Sequence, residues 1–99
     1  MENIRYFVEF DIETPFTKEM AMYIPSQRKR VSSFFYEGKI LSYAISAERD
    51  KLWVVFVAST EEELIRLVES LPMIIFMTYR YRELMFVQMA SVIPEMSLN

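Results

Sequence analysis

From Ile4 to Ile12 every even position is apolar or aromatic (Ile4, Tyr6, Val8, Phe10, Ile12), while the odd positions hold Arg5, Phe7, Glu9 and Asp11. A period of two marks a strand with one buried face. The spacing then turns helical and back, twice within 99 residues, and that alternation limits the fold more than any other feature. From Thr17 to Glu37 the pattern predicts a helix with Met20, Ile24, Val31, Phe34 and Phe35 as its buried stripe. Gln27, Arg28, Lys29 and Arg30 fall on its solvated side. Pro25 either kinks this helix or opens its main part after a short first turn ending near Ile24, the reading favoured here. Gly38 fits the position just past the helix end.

Ile40–Ala47 and Leu52–Ala58 are aliphatic and β-branched runs separated by Glu48-Arg49-Asp50-Lys51, the pattern of an antiparallel hairpin. Ser59-Thr60-Glu61-Glu62-Glu63 then offers two overlapping capping boxes, Ser59 with Glu62 and Thr60 with Glu63. Leu64, Leu67, Val68 and Leu71 follow at helical spacing, and Pro72 ends that helix. After a connector, 73–76, the run from Met77 to Gln88 alternates as a fourth strand. The order βαββαβ predicts one α+β domain over 1–99 of the ferredoxin-like type, a four-stranded antiparallel sheet with two helices on one face. The bare face is expected to meet that of a second subunit in a dimeric α+β barrel.

Composition removes several function classes. Cysteine and histidine are both absent, so thiol or Ser-His nucleophiles and Cys or His metal sites are excluded, and neither metal nor cofactor is expected. The single glycine rules out nucleotide-binding loops. A net charge of -3 argues against nucleic-acid partners. No apolar stretch approaches the roughly 20 residues that span a bilayer, and the opening residues lack a secretory pattern, so a cytoplasmic protein without membrane contact is expected.

The passage Glu69-Ser70-Leu71-Pro72-Met73-Ile74-Ile75-Phe76-Met77 resembles the turn from second helix to last strand in the muconolactone isomerase family. The opening strand ending in Asp11-Ile12-Glu13-Thr14-Pro15, the helix exit Glu37-Gly38-Lys39 and the helix entry at Ser59–Leu64 are similar to that family in order and spacing. The resemblance implies a small oligomeric α+β barrel acting, without cofactor, as an intramolecular isomerase on a carboxylated lactone or another aromatic-degradation intermediate. Family members carry basic and histidine residues on the first two strands. Here those places hold Phe7 and Glu9, then Ile40–Ala47 with no basic residue, so a second reading stands beside the first: a non-catalytic, ligand-binding or structural oligomer.

Moving a proton between carbons requires a base poised near neutrality and donors for the developing enolate oxygen. Without histidine, the expected base is Glu9. Phe7, Asp11, Arg80 and Arg82 are the expected ligand-binding residues, all facing the space between subunits. The competing reading of the four charges is a cross-strand ion-pair network. Trp53, Val55, Val57, Tyr79 and Tyr81 are expected in the core, with Phe7, Val54 and Phe56 on the open sheet face. The apolar segment from Leu84 to Ile93 is expected to extend across a partner subunit, giving a homodimer or larger homo-oligomer.

Overall fold

The computed structural model describes residues 3–90. Strands β1 (Ile4–Ile12), β2 (Ile40–Ile45), β3 (Lys51–Ala58) and β4 (Met77–Leu84) form one antiparallel sheet in the order β2-β3-β1-β4. This is the ferredoxin-like arrangement, with the first and last strands as neighbours. The expected first helix divides into α1 (Lys18–Ala21) and α2 (Ile24–Tyr36), with Pro25 in the first turn of α2. Proline costs nothing there, because the first-turn amides have no partner within the helix. Helix α3 spans Glu61–Glu69, and the connector after it is a 3-10 helix, Pro72–Phe76.

The ends of α2 and α3 follow from their sequences. Gly38 takes φ +76°, and the amides of Gly38 and Lys39 donate to the carbonyls of Phe35 and Phe34 in the paired-bond stop that glycine permits. At the start of α3 the Thr60 hydroxyl accepts from the Glu63 amide. The Glu63 carboxylate, however, turns back to Ser59, accepting from its amide and its hydroxyl at 2.7 Å each, and pairs with Lys39 at 3.0 Å. These donors, the Ser59 amide first, hold the Glu63 carboxyl at about 2, below the ordinary 4.5. A lowered carboxylate stabilises the fold above its unfolded value and loses that contribution as pH falls toward the folded one. Glu63→Gln should therefore cost about 1 to 2 kcal/mol at neutral pH. The cost should fade below pH 4.5 toward pH 2, and urea unfolding that finds it unchanged at acidic pH would refute this assignment.

The core lies between the sheet and the helices. Tyr6, Val8 and Phe10 of β1 and Leu52, Val54 and Phe56 of β3 pack with Val31 and Phe34 of α2 and Leu64 and Val68 of α3. Phe34 meets Phe56 edge to face at 6.3 Å. Met20, Met73 and Phe76 form a smaller cluster at one end, with Tyr23 against Phe76. The pairings Tyr6↔Phe56 and Val8↔Val54 put the even residues of β3 on the helix face. This corrects the expectation for β3: Val54 and Phe56 are fully buried under the helices, and Trp53, Val55 and Val57 lie on the open face. Tyr79 and Tyr81 do face the helices, where they bond Glu69 and Glu61. Phe35, expected in the stripe, is 44% exposed, and Gln27, expected in solvent, is 5% exposed.

Strand β4 ends at Leu84, four residues before the expected limit, and 85–90 continue outside the sheet. The expected extension beyond residue 90 lies outside the described residues. No helix among those described is long and apolar enough to cross a membrane.

Candidate functional site

Among the described residues, chemistry-bearing side chains gather on both sides of the sheet. On the open face the register sets Glu9 opposite Arg80 and Asp11 opposite Lys51. Arg80 bonds Asp11 at 2.9 Å and Glu9 at 3.3 Å, while Lys51 pairs with Asp11 and lies 3.5 Å from Glu9. The fold thus brings together three of the residues singled out from sequence and adds Lys51. Two carboxylates face two cations, and the charges cancel. The hydrogen bond from Lys51, then that from Arg80, holds the Asp11 carboxyl below its ordinary value. Phe7 and Arg82 face each other across β1 and β4, beside this cluster but outside it, and no ion pair among the described residues includes Arg82. Exposed pairs of this kind contribute little to stability, because water screens them and ordering the long side chains costs entropy.

The second place is a cavity of about 640 Å³ between α2 and the β2–β3 end of the sheet. Its apolar walls come from α2 (Ile24, Val31), β3 (Leu52), the 3-10 helix (Met73) and the chain after β1 (Phe16). Its polar groups converge from three parts of the chain. Gln27 and Arg28 are on α2; Tyr43 is on β2 and Arg49 in the hairpin loop.

The buried Gln27 joins three elements: its amide nitrogen donates to the Tyr43 hydroxyl at 3.1 Å, and its oxygen accepts from the Met73 amide at 3.0 Å. The Tyr43 oxygen accepts in that bond, so its own proton is left to donate into the cavity. The hydroxyl is protonated at neutral pH in any case, and burial pushes its pKa further up. The hairpin loop is fixed by Ser46, whose hydroxyl accepts from the amides of Asp50 and Lys51 and donates to the Asp50 carboxylate. That knot leaves Arg49 at φ 64°, a left-handed conformation costing a side-chain-bearing residue roughly 1 to 2 kcal/mol. The Arg49 guanidinium lies 5.5 Å above the Phe16 ring at the cavity.

None of these cavity residues was among the expected base and ligand-binding residues, although Tyr43 is one of the aromatics that could line a ligand pocket. For Gln27 a signal existed: Ile24, Gln27, Val31 and Phe34 follow the three-four spacing of one helix face. Arg28 opens the basic run Arg28-Lys29-Arg30, which reads more readily as a solvated face than as an anion patch, and nothing in the sequence marked Arg49. No group of three or more metal-ligating acidic side chains is assembled among the described residues.

No family model matches the sequence, and no curated protein matches it. Among solved structures the chain is similar to a conserved protein of unknown function from Bacteroides thetaiotaomicron VPI-5482, described as a possible oxidoreductase. The two share 14% identity with a TM-score of 0.45, over 83% of this chain and 97% of the other. A likeness of that extent leaves the activity of this chain open.

Proposed function

We propose that this chain is a small-molecule-binding protein whose site is the cavity beneath α2, and that it takes a compact, mostly apolar ligand. The carrying observation is the cavity itself: about 640 Å³, walled by aliphatic and aromatic side chains with a few polar groups at fixed positions, the usual make-up of a ligand pocket. No aspartate or glutamate lines it and the chain has no histidine, so it offers no side-chain carboxylate or imidazole base for proton abstraction. That supports binding over lactone isomerisation, which would have to use Glu9 on the opposite side of the sheet. The open face supports assembly instead, and we infer a homodimer formed through it.

A neutral probe tests the site. Methyl 4-acetylbenzoate should raise the melting temperature of the wild-type protein, the midpoint climbing with probe concentration by mass action. Ser32→Phe, on the exposed surface of α2 at the cavity wall, should fill the space and abolish the rise while leaving the fold intact. A rise that survives in Ser32→Phe would place the ligand elsewhere. Turnover of a carboxylated lactone, lost in Glu9→Gln at unchanged stability, would restore the isomerase reading.

A further inference from the structure

We infer that the cavity is specific for an aromatic carboxylate bearing a second oxygen acceptor: Arg28 and Arg49 bind the carboxylate at the rim, and the Tyr43 hydroxyl donates to the inner oxygen. The inference rests on the binding reading above and adds the ligand's charge and polarity. Its first support is an inventory. Arg28 on α2 and Arg49 in the hairpin loop border the same space, and neither meets a carboxylate in the ion pairs found among the described residues. In a chain of net charge -3, a cavity bordered by two arginines and by no acidic side chain departs from the rest of the surface. Guanidinium groups at such a rim recognise planar anions through paired, charge-assisted hydrogen bonds.

The second support is the direction of the inner polar groups. Both ends of the Gln27 amide are engaged, as is the Ser46 hydroxyl. Tyr43, held in place by accepting from Gln27, keeps its own proton for a ligand acceptor. The site therefore presents arginine and tyrosine donors around a largely apolar space, the complement of a flat ring carrying more than one oxygen acceptor. The third support is Arg49 itself. It holds a left-handed backbone conformation that glycine or asparagine adopts more readily, and such conformations gather at binding sites. Its cation rests on Phe16, an aromatic wall of the cavity, so the same residue supplies charge to the rim and closes one side.

Calorimetric titration with 4-acetylbenzoate, its methyl ester and 4-isopropylbenzoate tests each part. In low salt the wild-type protein should bind the acid about tenfold more tightly than the ester, and added salt should shrink that preference. Arg28→Gln and Arg49→Gly should each lower affinity for the acid several-fold and leave the ester unchanged. Arg49→Gly should melt no lower than wild type, since glycine relieves the backbone. Tyr43→Phe should weaken the two acetyl compounds and spare 4-isopropylbenzoate, which has the same shape without the acceptor. Equal affinity of wild type for acid and ester would overturn the arginine clamp and leave the cavity reading standing. Equal losses for acetyl and isopropyl compounds in Tyr43→Phe would overturn the inner contact, and absence of binding by every probe would overturn both readings.

Discussion

Replacing Gln27 by Met should lower the unfolding free energy by about 2 kcal/mol, although it puts a more apolar side chain of similar length at a buried position. The glutamine is the one buried polar side chain found among the described residues, and both halves of its amide are used. Its loss leaves the Met73 amide, buried in the 3-10 helix, without an acceptor. An orphaned buried donor costs about 1 to 3 kcal/mol. Tyr43→Phe should cost less, since it leaves only a side-chain amide in need of a partner. In a domain of this size the Gln27 effect corresponds to a fall of about 8 to 16 °C in melting temperature. A fall under about 2 °C would show that Met73 finds another acceptor. The consequence for binding is larger than the energy implies, because Gln27 sets the Tyr43 hydroxyl that faces the cavity. Gln27→Met should therefore also lower affinity for acetyl-bearing probes.

The course of the chain was legible wherever one face of an element differs from the other. β1 alternates apolar and polar residues, so its buried set could be read directly, and Tyr6, Val8 and Phe10 are that set. α3 carries its cap and its apolar stripe in sequence order. β3 is the opposite case: from Leu52 to Ala58 every residue is apolar, so nothing local says which parity faces the helices. Pairing with β1 decides it, and the parity expected from sequence was the wrong one. The same physics explains the uneven view of the site. Glu9, Asp11 and Arg80 alternate with apolar neighbours on strands that pair, so their meeting could be foreseen. The cavity is made by Arg28, Tyr43 and Arg49 from a helix, a strand and a loop, and which loop reaches which helix is a property of the closed fold. Gln27 lies between these cases, visible as a polar residue on an apolar stripe only when the spacing is trusted over its chemical type.

Sedimentation velocity of the wild-type protein at micromolar concentration should show a species of twice the 11.9 kDa chain mass, and Phe86→Asp should convert it to a folded monomer. The fold is 20 Å in its thinnest dimension, the depth of two layers, so one face of the sheet has no layer of its own over it. That face carries Phe7, 38% exposed, with Trp53 and Val57 half-buried beside it and Val55 already buried between them. Just past β4, where the chain leaves the sheet, Met85, Phe86 and Met89 are 101%, 70% and 46% exposed. A second copy is the fitting cover, because a two-fold contact buries both bare faces and leaves neither outside. The charge pattern agrees with this choice. Glu9, Asp11, Lys51 and Arg80 already neutralise one another within each chain, so a second sheet can approach without stranding an unpaired charge, the condition under which burial of ions is tolerable. Phe86 makes the cleaner test than a sheet residue, since it lies outside the ladder and its replacement removes nothing from the core. An aspartate there would need desolvation on association and should shift the equilibrium strongly toward monomer. A well-folded monomer of the wild-type chain at that concentration would overturn the assembly, and a dimer untouched by Phe86→Asp would move the contact away from the segment after β4.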